Sequence, residues 1–197
     1  MARAATAVTL NDIMPMDDFM RTRLEKRAKV METKSQRRIA VGPYAVFLFE
    51  CFETIWWQIH EMLRIEEGGK AQALDEIDAY APLVPDGDTL KATLMFEIGS
   101  VPLRKKLLQT WGHIEKHIFM EVGGVKVAGT AIEDDERTTP DGKTSAVHFI
   151  QFHLDANIKK AFKDPDAQTT LGFSHPEYNH QAVLSEKARD VLAQDLV

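Results

Sequence analysis

Turn-forming residues divide the second half of the chain into short, strand-like segments. Residues 118–122 and 125–132 are rich in Val, Ile and other β-forming side chains, and only a pair of glycines separates them. Residues 145–154 form a third such segment beyond a polar loop. We expect residues 125–132 and 145–154 to pair as an antiparallel ribbon with a long tip, because hairpin connections join neighbouring antiparallel strands.

No helical pattern separates these three segments, and the helical patterns lie outside them. This order differs from the βαβα alternation of a doubly wound domain and indicates an α+β fold, with a largely antiparallel sheet of four or more strands and helices packed outside it. We expect a flexible tail over residues 1–8 and a single domain over residues 9–197. Further strands are expected at residues 89–98, and edge strands at 171–173 and 178–183. The predicted helices cover residues 15 to about 35, 50–66, 70–81, 103–115, 155–162 and 185–196.

Composition restricts the compartment in which the chain works. Among its 197 residues there is one cysteine, Cys51, which excludes an internal disulfide and favours a reducing compartment such as the cytoplasm. No stretch approaches the roughly 18 apolar residues that a membrane helix needs, so we expect no membrane partner.

The net charge of −6 is distributed unevenly. Residues 1–40 carry nine Lys and Arg against five acids, whereas the rest of the chain carries 15 bases and 25 acids. A basic arm of this kind contacts nucleic acid, folds onto its own acidic body or forms a solvated helix. We favour the last two interpretations over nucleic-acid binding, because an acidic domain repels phosphates and no nucleic-acid-binding motif is present.

Common catalytic motifs are missing from the sequence. It contains no P-loop, no G-x-G-x-x-G dinucleotide loop and no G-x-S-x-G nucleophile motif. A single cysteine cannot form an iron–sulfur site or a C-x-x-C redox pair, and Cys51 is expected to be a packed thiol.

Residues 50–66 carry the clearest helical periodicity, with one apolar sector and one polar sector. At about 100° per residue, the polar sector contains a large indole, Trp57, among charged groups. An indole is rarely left in water amid charges, so we expect another part of the protein to cover it. The alternative is an ordinary solvated face whose ion pairs contribute little stability. The other members of the polar sector are Glu50, Glu53, His60, Glu61 and Arg64.

Several segments together resemble the bacterial domain-of-unknown-function family 3501. The resemblance covers about residues 9–196. It implies no established activity and no catalytic residues. It does imply a physiological context, since genes of this family often neighbour genes for rubrerythrin-like and iron–sulfur proteins. The segments that carry it are 38–44 (RIAVGPY), 47–54 (FLFECFET), 58–66 (QIHEMLRIE), 90–97 (LKATLMFE) and 175–178 (HPEY).

These observations lead to a leading functional hypothesis and two alternatives. We expect a cytoplasmic accessory factor in oxidative-stress or redox physiology that binds a divalent metal ion or a small ligand at the 50–64 helix. In this hypothesis Glu50, Glu53, His60 and Glu61 hold the metal, Arg64 anchors an anion and Trp57 forms a pocket wall. The first alternative is a non-catalytic module that docks a redox or iron–sulfur protein or a second copy of itself. The second is an enzyme that acts on a small acid or a peroxide.

Overall fold

The computed structural model describes residues 7–132 and 137–197. Within these ranges the chain forms six α-helices and nine strands, which are linked by short loops and 3-10 turns. The helices are α1 (Met16–Gln36), α2 (Phe52–Glu66), α3 (Gly69–Tyr80), α4 (Val101–Thr110), α5 (Ala156–Lys163) and α6 (Glu186–Ala193). The strands are β1 (Arg38–Val41), β2 (Ala45–Phe49), β3 (Thr89–Phe96), β4 (Ile118–Val122), β5 (Val125–Ala128), β6 (Thr130–Ala131), β7 (Val147–His153), β8 (Thr169–Phe173) and β9 (Gln181–Val183).

The strands form two antiparallel sheets. The first has the order β1-β2-β3-β7-β6 and the second has the order β5-β4-β8-β9. Every pair of neighbouring strands runs antiparallel. The expected α+β fold with a largely antiparallel sheet is therefore confirmed, and the strands are divided between two sheets.

The main hydrophobic core includes residues from both sheets. Alternate residues of β2 and β3 contribute to it, because successive side chains of a strand point to opposite faces. Phe173 of β8 lies 5.5 Å from Phe47 and 6.2 Å from Phe96, measured between ring centroids. These contacts pack the four-stranded sheet directly against the five-stranded sheet.

A second core cluster joins α2 and α3 to the five-stranded sheet. Ile55, Ile59 and Leu63 are spaced one helical turn apart on α2 and are all buried. They belong to one cluster with Ile77 of α3 and Phe149 of β7. This packing leaves the polar sector of α2 free to receive another element.

Helix α2 begins two residues later than the periodicity suggests. Cys51 has extended backbone angles and acts as the N-cap, and its N–H donates to Thr54 Oγ1 at 3.0 Å. Glu50 precedes this cap and donates its backbone N–H to Lys91 O of β3 at 2.8 Å. The placement of Glu50 on the polar sector of the helix was therefore wrong, since it precedes the N-cap and its backbone is hydrogen-bonded to β3.

The ribbon expected between residues 125–132 and 145–154 is only partly present. β5 pairs with β4, and only the two residues of β6 pair with β7. The chain passes between the sheets at Gly129, where a Cβ would lie 2.9 Å from Ile118 Cγ2 and 3.0 Å from Ile150 Cγ2. Only a residue without a side chain fits this passage.

Three further predictions differ from the structure at the level of single elements. β8 lies between β4 and β9, so it is not an edge strand. Helix α4 ends at Thr110, and His113 has a left-handed backbone with φ of 58°. Residues 1–6 of the expected tail and residues 133–136 of the polar loop lie outside the described residues, whereas Val8 is buried in the α2–α3 cluster.

Two buried polar contacts connect distant parts of the chain. Tyr178 donates its hydroxyl to Val41 O at 2.7 Å and accepts from Ala45 N–H at 3.0 Å, which ties the segment before β9 to the β1–β2 hairpin. Arg37, between α1 and β1, forms a bidentate ion pair with Asp195 through bonds of 2.7 and 2.9 Å. Within residues 7–132 and 137–197, no helix combines the length and apolar character needed to cross a bilayer.

We expect Asp195→Ala to lower the free energy of unfolding by about 3–5 kcal/mol, because it leaves the buried Arg37 guanidinium without its counter-ion. Urea denaturation measures this change. Asp190→Ala, which alters an exposed carboxylate on α6, should stay within about 0.5 kcal/mol of the parent. Similar losses of unfolding free energy in the two variants would show that the Arg37–Asp195 ion pair does not stabilise the C-terminal end of the chain.

Candidate functional site

Helix α1 lies across the polar sector of α2 and covers its indole. Trp57 is only 7% exposed, and its ring centroid lies 5.4 Å from that of Phe19. Val30, also of α1, belongs to the same buried cluster. Another part of the chain therefore covers Trp57, as expected, and the cover is the basic first helix.

His60 is buried beneath the same helix with both ring nitrogens engaged. Nδ1 lies 2.8 Å from Trp56 O, and Nε2 accepts the Met14 N–H at 3.2 Å. This pattern fits a neutral ring that donates from Nδ1. Burial lowers the pKa of His60 below its ordinary value, and the charge of Lys26 adds to this effect. The imidazole therefore fixes the N-terminal segment and has no free nitrogen for a metal ion.

Glu61 is neutralised by two arginines. Arg23 of α1 donates to both carboxylate oxygens at 2.7 and 2.9 Å, and Arg64 donates to Oε2 at 3.2 Å. The hydrogen bond from Arg23 is the main reason that the pKa of Glu61 is lowered. The basic arm thus folds onto the acidic body of its own chain, which is one of the two interpretations that the charge distribution left open.

The other two carboxylates predicted at the site, Glu50 and Glu53, lie apart from Glu61. Glu53 is exposed on the first turn of α2, whereas Glu50 is buried against the sheet. Across the part of the chain that the structure describes, no three His, Cys, Asp or Glu residues converge to form a potential metal site. The residues proposed as metal ligands are thus distributed over three separate environments.

Cys51 is buried at the start of α2. Burial raises the pKa of its thiol to about 11, so the thiol is almost entirely protonated at neutral pH. Because the thiolate is the reactive form, Cys51 is a packed thiol rather than a nucleophile.

A large groove opens beside the covered sector, and we call it the Arg64 groove. Its volume is about 910 Å³. The N-terminal segment and α1 form one wall, and the C-terminal end of α2 with the start of α3 forms the other. The residues that line it are Leu10, Asn11, Ile13, Met14, Pro15, Met16, Met20, Leu63, Arg64, Glu67, Gly69 and Ala73.

Arg64 is the one cationic side chain among these lining residues. Of the hydrogen bonds formed among the described residues, Arg64 donates one, from Nη2 to Glu61. Its Nε is buried and has no acceptor among those residues. A guanidinium has five N–H donors, so Arg64 keeps the capacity to bind an anionic or carbonyl oxygen.

Sequence reasoning identified Arg64 and missed the groove around it. The walls come from segments that are more than 40 residues apart in the chain, and their approach depends on tertiary packing. One usable signal was present, since Met14, Met16 and Met20 are closely spaced near the start of the chain. Methionines in such a cluster are common at adaptable apolar surfaces.

Comparison with known proteins gives this architecture a family. The model of the family described as "Protein of unknown function (DUF3501)" matches residues 7–196, and the chain belongs to this family. A crystal structure of a novel protein of unknown function from Burkholderia pseudomallei K96243 is similar to this chain with a TM-score of 0.89 and 36% identity. The match covers 97% of this chain and 100% of that one. No curated protein matches the chain.

We expect acid to weaken the docking of the N-terminal segment through His60. The pKa of His60 is lowered in the native state, so the unfolded chain binds a proton that the native state excludes as the pH falls below about 6.5. The contribution of neutral His60 to the free energy of unfolding is therefore present above about pH 6.5 and lost as the pH falls below it.

His60→Gln should reduce the fall in unfolding free energy between roughly pH 7.5 and pH 5.5, measured in urea. His153→Gln alters an exposed histidine and should keep the parental slope. Equal slopes in all three proteins would exclude this role.

Proposed function

We propose that this protein is a binding protein for a small amphipathic molecule with an apolar body and an anionic head group. The observation that carries the proposal is the position of Arg64 in an otherwise mainly apolar groove. This is the small-ligand form of the sequence-based hypothesis, and it uses the 50–64 helix as expected. We place this role in the redox setting that the family resemblance implies and in the cytoplasm, which the single cysteine favours.

The size and lining of the Arg64 groove support an apolar ligand body. A volume of about 910 Å³ lies within the range of roughly 300–1,000 Å³ typical of small-molecule sites. Leu10, Ile13 and Leu63 provide aliphatic surface. The methionines add flexible side chains that can adjust to an irregular ligand.

The charges around the groove support an anionic head group. Glu61 is held by Arg23 in a bidentate pair, so Arg64 is not its only counter-ion. Glu67 also lines the groove and its carboxylate repels an anion, but the residue is exposed, so solvent and salt screen this repulsion. A carboxylate or phosphate on the ligand would give the guanidinium of Arg64 a second acceptor in partly apolar surroundings, where charge-assisted hydrogen bonds are strong.

Dodecanoate is a suitable probe, and isothermal titration calorimetry measures its binding. We expect Arg64→Gln to weaken binding about tenfold, because one charge-assisted contact is lost. Met20→Glu should also weaken it by placing a carboxylate at the groove. Arg27→Gln removes an exposed arginine of α1 that does not line the groove, and it should leave the affinity unchanged. Equal affinity of the parent and Arg64→Gln, or no binding by the parent, would contradict the proposal.

The exposed face of α1 supports a second candidate, association with another copy of the chain. Leu24 is 80% exposed, and Met20 and Met31 are also exposed within the same narrow sector of the helix. In an antiparallel pair of α1 helices, Met20 of each copy would lie near Met31 of the other, and Arg21 near Glu32. Trp57 cannot serve as the docking residue in this arrangement because α1 covers it.

We expect Leu24→Glu to shift the protein from dimer to monomer if α1 forms this contact. Size-exclusion chromatography with light scattering gives the mass at several protein concentrations. Val101→Glu changes an exposed apolar residue on α4 and should leave the mass unchanged. A monomeric parent protein would rule out the self-association.

A further inference from the structure

A second cavity lies between the outer face of the five-stranded sheet and α2, and we call it the Glu50 cavity. Its volume is about 240 Å³, and it is separate from the Arg64 groove, with which it shares no lining residue. Leu48, Met95 and Phe149 contribute apolar wall from β2, β3 and β7. The cavity therefore has room for a small molecule with a short alkyl portion.

Glu50 carries the one carboxylate among the residues that line this cavity. The residue is only 6% exposed. Oε1 accepts from Thr93 Oγ1 at 2.6 Å, and Oε2 accepts from Thr54 Oγ1 at 2.5 Å. Both donors are neutral hydroxyls. Among the ion pairs formed by the described residues, none includes Glu50.

A buried carboxylate that forms no ion pair is costly, which gives the cavity a chemical preference. Two carboxylate oxygens offer about four acceptor positions, and the threonines occupy two of them. Removal of an ionised carboxylate from water costs several kcal/mol unless a positive group compensates. The remaining positions therefore favour a cation that also donates hydrogen bonds.

The oxygen atoms available in the cavity favour an organic cation over a metal ion. Divalent Ca²⁺ takes six to eight oxygen ligands, and Mg²⁺ needs near-octahedral geometry. Glu50 is the one carboxylate that lines this cavity, and its other polar neighbours are neutral apart from Lys34. A primary ammonium needs only a few acceptors, and an alkyl chain attached to it fits the apolar walls.

We propose that the Glu50 cavity binds a small primary alkylamine, with the ammonium held by Glu50 and the alkyl group against Leu48, Met95 and Phe149. Thr54 and Thr93 orient the carboxylate through their hydroxyls. Lys34, which comes from the end of α1, is the other charged side chain that lines the cavity. Its positive charge opposes any ammonium ligand, and it opposes ligands with more than one ammonium group most strongly.

The test is a ¹H–¹⁵N chemical-shift titration of the full chain with n-butylammonium chloride at constant ionic strength. The neutral isostere n-butanol is the matched ligand control. We expect n-butylammonium to perturb the amides around Thr54 and Thr93, with an affinity about tenfold higher than that of n-butanol. Equal affinities of the two probes, or shifts confined to residues 10–20, would overturn the proposal.

Variants separate the role of Glu50 from general effects of charge. Glu50→Gln should reduce n-butylammonium binding to the level of n-butanol, whereas Glu53→Gln, which changes an exposed carboxylate three residues away, should leave it unchanged. Lys34→Met should retain or strengthen n-butylammonium binding.

Val147→Trp narrows the cavity from a partly exposed position on β7 and should block both probes, which provides a second test if Glu50→Gln does not fold. Parental affinity in Glu50→Gln or Val147→Trp would contradict the assignment. Each result is independent of dodecanoate binding at the Arg64 groove.

Discussion

The packing of Phe19 on the aromatic side of α2 decides where the first helix lies, and both cavities depend on that position. Its ring centroid lies 6.0 Å from Trp56, 5.4 Å from Trp57 and 4.9 Å from His60. Aromatic contacts of this kind contribute about 0.5–1.5 kcal/mol each beyond the burial of area. Because α1 is 21 residues long, one anchored ring positions Met20 at the Arg64 groove and Lys34 at the Glu50 cavity.

The polar groups beneath α1 make this packing specific rather than merely hydrophobic. His60 accepts a backbone N–H from the N-terminal segment, and Arg23 pairs with Glu61 at a partly buried position. Trp56 also donates its indole N–H to Asp12 O at 2.8 Å. A shift of α1 along α2 would leave these donors and acceptors unpaired, at a cost of about 1–3 kcal/mol for each buried group. One register is therefore favoured over its neighbours.

The fold could be predicted from the sequence where a local pattern determines the structure. Pro15 and the residues after it indicate the start of α1, and the apolar spacing of 50–66 indicates α2. The limits of that reasoning are visible at Glu50 and Gly129. Helical periodicity places Glu50 on the helix, but the N-cap at Cys51 begins the helix later. Close approach of two sheets at Gly129 is a tertiary constraint, and strand propensity carries no information about it.

The candidate site follows the same division between local and tertiary information. The mixture of charges around Trp57 indicates a covered face, and α1 does cover it. The charges themselves have different partners, because Glu61 is used in joining two helices while Glu50 and Arg64 face separate cavities. A helical wheel places all of these groups in one sector, since it contains no information about the element that packs on it. The structure thus distributes the single predicted site over an apolar groove with a cation and a smaller cavity with an anion, and we propose that the two bind ligands of opposite charge.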